Sequence, residues 1–321
     1  MAVYTEVSDE ELAAFMAAYA TAEVVSFTGI AQGVENSNFL IQTEDGTPYI
    51  LTLYEKRVNP ADLPYFLGLM EHLAAHGVTC PLPIKARDGH SLSTLNGRPA
   101  ALFSFLKGLS PRRITAEHCA GVGAALAGLH LAGKSYAGVR RNSLSVPAWR
   151  PLFEQSRQRA DTVMPNLAAE IDGDLDEIDG VWPRGLPAGT IHADLFPDNV
   201  FFRGSEVSGV IDFYFACTDV LAYDLAIVMN AWCFESDFEF NVTKSRALLA
   251  AYMRGRPLSD AEAEALPVLA RGAAMRFLLT RLYDWLNTPE GALVRPKNPL
   301  DYLHILRFHR RVADPGAYGL D

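Results

Sequence analysis

The stretch His192-Ala193-Asp194-Leu195-Phe196-Pro197-Asp198-Asn199 is followed, a few residues on, by Val210-Ile211-Asp212-Phe213. Two carboxylates and an amide, Asp194, Asp212 and Asn199, therefore stand at a spacing suited to phosphoryl transfer. That reaction needs a carboxylate to orient the attacking hydroxyl and oxygen ligands to hold magnesium, because most of its work is positioning and charge neutralisation. Pro197 fixes its own backbone and disfavours helix at Phe196, so 195–197 reads as a bulky turn and the polar groups project from a loop. Val200-Phe201-Phe202 and Val207 to Phe213 are β-rich runs separated by Arg203-Gly204-Ser205-Glu206. They predict a hairpin with Asp212 at the exit of its second strand, a geometry that returns Asp212 to Asn199. Taken singly, Asp194 and Asp212 would pass for turn residues and His192 for a hydrogen-bonded core residue. The set together points to chemistry.

The elements around this loop divide the chain in two. Ser8 and Glu11 form a capping-box pattern, and Leu12, Phe15, Met16 and Tyr19 recur at helical spacing, which predicts a first helix over 8–21. Val24 to Gly29, Phe39 to Thr43 and Tyr49 to Tyr54 then read as strands, with Asp45-Gly46 a two-residue hairpin turn between the last two. Leu63 to His76 reads as a helix ended by Gly77, and Asn96-Gly97 marks a second hairpin. From Thr115 onward helices dominate, beginning with Ala116 to Leu131, where Gly121, Gly123 and Gly128 are costly unless close packing uses their missing side chains. The fold class is thus α+β: a small lobe of antiparallel hairpins over 1–106 and a larger, mostly helical lobe over 107–321, with a boundary near Leu106 to Gly108. Clefts between lobes are common ligand sites.

Composition narrows the partners. A formal net charge of −10 with no run of Lys or Arg longer than a pair argues against nucleic acid, and leaves small substrates. Cys80, Cys119, Cys217 and Cys233 are scattered, which predicts buried free thiols instead of a zinc site or a disulfide framework. The acidic amino terminus lacks the basic and apolar regions of a signal peptide, and Arg271 and Arg276 interrupt the apolar run Leu266 to Leu279, so a cytoplasmic protein without membrane spans is expected. Asp172, Asp174 and Asp176 imitate calcium ligands, but Glu177 stands where a turn glycine belongs and Pro183 where a closing glutamate belongs. The run reads as a solvated, acidic helix end.

These residues, together with Gly33-Val34-Glu35-Asn36-Ser37-Asn38-Phe39, Tyr49 to Glu55 and Ile211 to Ala216, resemble the aminoglycoside-phosphotransferase-like kinases over nearly the whole chain. Within that family the resemblance is greatest to the branch that phosphorylates homoserine. It implies a two-lobed, protein-kinase-like fold, with ATP and magnesium as cofactors and L-homoserine as acceptor, on the route to threonine. It further implies that Asp194 is the catalytic carboxylate with His192 supporting its loop, that Asn199 and Asp212 hold the metal, and that a buried aspartate, Asp224, braces the loop. Gly33 and Ser37 are expected at the nucleotide phosphates, and Phe103 and Phe105 at the adenine, where the connection between lobes begins. Asn36, Tyr214 and Arg281 are the candidates for binding the acceptor.

Two departures accompany the resemblance. The strand lysine of most relatives is replaced by Thr52, and its helix partner is unclear because Glu71 falls late; Lys56, Arg57 or Lys107 are possible substitutes. A zwitterionic acceptor requires a cation for its carboxylate, for which Arg276 and Arg281 are available, and an anion for its ammonium, for which Asp284 or Glu235 are available. Arg281 equally fits an i, i+3 pair with Asp284. Glu235, Asp237 and Glu239 fit either a solvated face or the acidic site of a choline or aminoglycoside kinase. Another small alcohol, such as choline, methylthioribose or an aminoglycoside, is the second reading, and a nucleotide-binding pseudokinase the third.

Overall fold

The computed structural model describes residues 5–30, 36–55, 58–289 and 295–320. Helix α1 (Asp9–Met16) begins at Ser8, whose hydroxyl accepts from Glu11 N while the Glu11 carboxylate accepts from Ser8 N. It is shorter than its apolar spacing predicts. After Met16 the chain tightens into i→i−3 turns, and these carry Tyr19 into the same core without continuing the helix.

Strands β1 (Val24–Gly29), β2 (Asn36–Thr43) and β3 (Pro48–Tyr54) follow, then α2 (Leu63–Ala75), β4 (Pro83–Ile84), β5 (Ser93–Leu95) and β6 (Arg98–Ser104). They form one antiparallel sheet in the order β1-β2-β3-β6-β4, with β5 paired to β6. A hairpin turn stands at each expected place, but only Asn96-Gly97 is a two-residue loop; the turn at Asp45-Gly46 takes in Glu44 as well, with Thr43 N donating to Thr47 O and only Gly46 left-handed. The Asp45 carboxylate accepts from the Thr43 hydroxyl and Thr47 N, and Asn96 and Gly97 both take the left-handed backbone of a two-residue hairpin loop. Side chains alternate across the sheet, so one face carries Phe39, Ile41, Leu51, Leu53, Ala100 and Leu102, packed on Leu12, Phe15, Met16 and Tyr19. The opposite face, with Thr52, Tyr54, Ala101 and Phe103, turns toward α2 and the second half of the chain.

That half contains α3 (Ala116–Gly133), α4 (Val146–Glu154), α5 (Arg157–Ala160), α6 (Leu167–Val181), β7 (Ala188–Ile191), β8 (Val200–Arg203), β9 (Glu206–Val210), β10 (Cys217–Val220), α7 (Leu221–Trp232), α8 (Val242–Gly255), α9 (Asp260–Asn287) and α10 (Pro299–His309). Helix α7 is buried on nearly every side, as expected of an element apolar all round at the centre of a large core. The four cysteines are buried and free. Among the described residues, no helix is long and apolar enough to cross a membrane.

The aspartate run is a correction. Helical phase puts Asp174 on the buried stripe of α6 with Ile171, Leu175 and Ile178, where it pairs with Arg271 of α9 and Arg310 after α10. Asp172 and Asp176 face outward and pair with Arg157 and Arg150. The run lies within a helix, and its middle carboxylate ties three elements together.

The glycines of α3 divide by their surroundings. A β-carbon at Gly123 would collide with the Leu248 backbone of α8, whereas one at Gly128 would meet nothing within 4 Å. Gly123→Ala should therefore destabilise the protein by ~1–3 kcal/mol through overpacking. Gly128→Ala should stabilise it by ~0.5–1 kcal/mol through helix propensity. Urea unfolding of the two variants separates these outcomes, and equal effects would contradict the packing described.

Burial also makes a pH prediction. His309 is buried between the Tyr318 hydroxyl and Asn230 Oδ1, each 2.7 Å from a ring nitrogen, and burial lowers its pKa to about 3. An unfolded histidine titrates near ~6.5, so on acidification the unfolded chain takes up this proton before the folded one. Stability present above pH ~6.5 should be lost as the pH falls toward about 3, by up to ~1.4 kcal/mol per pH unit from this group. Denaturation at several pH values should show a shallower acid slope in His309→Gln than in the parent protein.

Candidate active site

Residues 192–199 leave β7 as a loop whose polar groups can be followed one by one. His192 N and Ala193 N donate to the two carboxylate oxygens of Asp224, at 2.7 and 2.8 Å. Asp194 N donates to His192 Nδ1 (3.3 Å), and His192 Nε2 donates to Ile211 O (3.0 Å). Only an unprotonated Nδ1 can accept from an amide, so the ring is the neutral tautomer, consistent with burial holding its pKa below the ordinary value. The Asp194 carbonyl accepts from Phe196 N and Asn199 Nδ2, both at 2.8 Å, and Leu195 O accepts from the Trp232 indole (2.9 Å). Asn199 O then accepts from Ile211 N at 2.9 Å, which closes the expected return of the chain and sets Asp212 beside the loop.

Asp224 holds this arrangement from the first turn of α7. Burial alone would raise its pKa, but a hydrogen bond and positive potential from His130, 3.2 Å away, and the His192 amide outweigh burial and hold it below the ordinary carboxylate range. His130 reaches onward to the Tyr252 hydroxyl (2.8 Å). His130 and Trp232 escape a reading of sequence, since each lies within an apolar helix and nothing local distinguishes a brace from core. Asp194 is affected in the opposite sense: burial raises its pKa, opposed chiefly by Arg276 and then by His192 and Lys297.

Two residues here are left-handed without being glycine, Ala193 (φ 63°) and Asp212 (φ 65°). Alanine has no side-chain hydrogen bond to compensate, and such backbone persists only where its surroundings over-determine it, at ~1–3 kcal/mol. Clusters of such residues are characteristic of functional sites.

The hairpin β8–β9 is fastened to the sheet-bearing half through Thr79 and Leu106, and to the segment just after it through Leu109 and Ser110. Leu109 and Phe202 exchange backbone hydrogen bonds, Val210 N donates to Thr79 O, and Ser110 donates to Asp198 O. Leu106 lies over Gly209 so closely that a β-carbon there would approach it to 2.7 Å. The chain leaving β6 is thus pressed against the hairpin that carries Asn199 and leads to Asp212.

The remaining candidates fall into different places. Asn36 lies on the cleft-facing side of β2, buried, and its side chain accepts from Glu55 N. Ser37 points to the opposite face, where it donates to Glu55 (2.8 Å) and accepts from Thr5 N; a one-residue step along a strand reverses the face. Its side chain is therefore turned away from the cleft. Gly33, Lys56 and Arg57 lie outside the described residues. Phe103 is buried on the cleft-facing side of β6, and Phe105 is exposed just beyond it. Thr52 donates to Asn38 Oδ1 (2.8 Å), and Glu71 turns to Lys85 (3.3 Å), so Thr52 and Glu71 do not meet. Lys107 is exposed. Tyr214 puts its hydroxyl 3.1 Å from that of Tyr54 and packs edge-on against Tyr54 and Phe66, spanning the two halves.

Arg281 pairs with Asp301 of α10 (3.2 Å) and lies over Tyr302, so its charge is directed across to α10. Arg276 is buried and donates to Ala193 O. Glu235 is held by Lys244 (2.6 Å) and Asn241 (2.7 Å). His192, with both nitrogens engaged and no exposure, positions the loop and cannot touch a substrate. A separate cavity of about 340 Å³ is bordered by Trp182, Arg184, Asp219 and Tyr223, and by none of the three polar candidates.

Asn199 and Asp212 suit magnesium in donor type. Asn199 commits its amide nitrogen to Asp194, which turns its amide oxygen the other way, and Asp212 adds a carboxylate; hard oxygen donors in small number, completed by phosphate and water, are what magnesium takes.

The model of the phosphotransferase enzyme family matches residues 26–258. Homoserine kinase of Rhodospirillum rubrum is 62% identical over 320 residues, covering 100% of this chain and 99% of that protein. Homoserine kinase of Bradyrhizobium diazoefficiens is 61% identical, covering 100% and 98%. Among solved structures, an amicoumacin kinase superposes with a TM-score of 0.70 at 15% identity, covering 95% of this chain and 92% of that one. A microcompartment-associated aminopropanol kinase superposes with a TM-score of 0.66 at 17% identity, covering 98% and 99%. These structures share the fold.

Removing the Asp224 carboxylate strands two buried amides and the His130 ring. Asp224→Ala should lower the unfolding free energy by ~3 kcal/mol or more, with Asp224→Asn in between, since the amide keeps one acceptor. Equilibrium unfolding of both variants tests this, and a loss under ~1 kcal/mol in Asp224→Ala would refute the role described.

Proposed function

This chain belongs to the phosphotransferase enzyme family, and we propose that it transfers the γ-phosphate of ATP to the hydroxyl of L-homoserine, giving O-phospho-L-homoserine on the route to threonine. The observation that carries this reading is the closed loop in which Asp194, Asn199 and the approach to Asp212 are hydrogen-bonded into one unit beside the sheet. Relatives about 60% identical over their whole length bear the homoserine kinase name, which supports this acceptor over other small alcohols. ATP and a free amino acid are both substrates of the cytoplasm, where this reading puts the enzyme.

In the proposed reaction Asp194 accepts a hydrogen bond from the homoserine hydroxyl and aims its oxygen at the γ-phosphorus. The new O–P bond forms as the bond to ADP breaks, and the hydroxyl proton passes to the Asp194 carboxylate late in the step. Burial makes that carboxylate a better proton acceptor than an ordinary aspartate. Asn199 and Asp212 would hold magnesium through oxygen, and the metal, when bound, neutralises charge on the phosphates. Asn36 and Phe103 lie on the sheet face turned toward the second half of the chain, where Asn36 would meet the acceptor and Phe103 the adenine, with Phe105 at the start of the connector. Pairing of Glu235 with Lys244 weakens the acidic site that a choline or aminoglycoside acceptor would need.

Coupled ADP release across a panel of L-homoserine, choline, methylthioribose and an aminoglycoside tests the assignment. Turnover should depend on L-homoserine and magnesium, and Asp194→Ala should lower kcat by ~10²–10⁴-fold while sparing nucleotide binding. Turnover with another alcohol alone would transfer the assignment to that acceptor. ADP released with none of them would leave a nucleotide-binding pseudokinase.

A further inference from the structure

Arg276 does not occupy the position of a substrate anchor. It rises from the middle of α9, is almost wholly buried, and its guanidinium donates to the carbonyl of Ala193. Its plane lies against Phe277 (4.3 Å to the ring centre) and Phe215 (5.4 Å). Phe215 ends the short helical turn that follows Asp212, and Phe277 packs on Phe196 of the 192–199 loop. One side chain thus touches both loops that carry the candidate chemistry.

Stability does not account for an arginine here. Its Nε–H is buried without a hydrogen-bond partner, and no carboxylate forms a salt bridge with it among the described residues. A buried charge so poorly compensated is usually outperformed by apolar packing. What the arginine does supply is the second half of a clamp. Ala193 is left-handed, its N–H is taken by Asp224 and its C=O by Arg276, so both polar groups of this residue are held by buried charges of opposite sign. Asp194 is the next residue, and its direction follows from that backbone.

We propose that Arg276 is a positioning residue for phosphoryl transfer, which clamps the left-handed Ala193 and ties the Asp194 loop to the segment following Asp212. The inference rests on Asp194 being the catalytic carboxylate, as proposed above. Its charge also opposes the effect of burial on Asp194.

The test is steady-state kinetics of the full-length enzyme with ATP and L-homoserine. Arg276→Gln should lower kcat by ~100-fold, the loss typical of a misplaced reacting group, with both KM values within ~3-fold of the parent. Arg276→Lys, which keeps a donor for Ala193 O, should recover ~10-fold of that loss, and it carries the test should the glutamine variant fail to fold. Residues that act as a unit are not additive, so either substitution made in Asp194→Asn should cost less than ~3-fold further. The same fold-loss in both backgrounds would mean a merely structural role and overturn the proposal. So would an increase confined to the KM for homoserine, which would make Arg276 a substrate anchor. Failure of the underlying reading is seen separately, as an Asp194→Asn variant with unchanged kcat, and overturns both.

Discussion

One buried carboxylate sets the geometry of the site. Asp224 is removed from water on a helix that is itself enclosed, and it remains charged because two amides of the 192–199 loop and the His130 ring point at it. Each partner is as dependent on the carboxylate as the carboxylate is on them, since an unmet polar group in that environment is destabilising. The loop consequently has little freedom. From His192 to Asn199 most backbone polar groups end on a named partner, and the last of these links, Asn199 O to Ile211 N, extends the order to Asp212. Catalysis by positioning requires such rigidity in the groups that do not react, so that the few that do are held in place.

The two halves of the chain meet through backbone as much as through side chains. Thr79 of the first half accepts from Val210 at the end of β9, Leu109 just past the boundary pairs with Phe202 of β8, and Gly209 permits Leu106 to lie directly on the hairpin. On the inner face of the sheet Thr52 is bonded to Asn38, with the Tyr54 and Tyr214 hydroxyls paired nearby. The junction between sheet and metal-loop candidates is therefore neutral at this point, held by hydrogen bonds and edge-on aromatic contacts.

Much of the local architecture was legible because its causes are local. Asn96-Gly97 specifies a two-residue hairpin through backbone angles that few other pairs tolerate, and both residues are left-handed; at Asp45-Gly46 only Gly46 is, and the turn is a wider one closed between Thr43 and Thr47. Pro197 leaves Phe196 extended and begins a single 3₁₀ turn, Pro197–Asn199, and the hairpin after it returns Asp212 as its spacing required. Where the reading went astray, the deciding partner was distant in sequence. Ser37 was expected at the nucleotide, but strand alternation and contacts with Thr5 and Glu55 place it on the outer face. Arg281 found Asp301 on another helix, a choice invisible to an i, i+3 rule. Asp174 appeared solvated because the arginines that bury it come from α9 and the segment after α10.

The amino-acid sequence by itself determined the hairpins, the loop that presents Asp194 and Asn199, the return of Asp212 and the division into a sheet-bearing and a helical half. Each of these follows from steric limits on φ and ψ or from apolar periodicity, which act over a few residues. Tertiary structure alone decided which polar side chains brace and which remain available. His192 became a neutral brace once Ile211 and the Asp194 amide took its two nitrogens, and Arg276 became a buried contact to Ala193 once α9 packed behind the loop. The physical reason is that a charged or hydrogen-bonding group is assigned its role by whichever partner it meets on leaving water, and for these residues that partner is brought by a distant part of the chain.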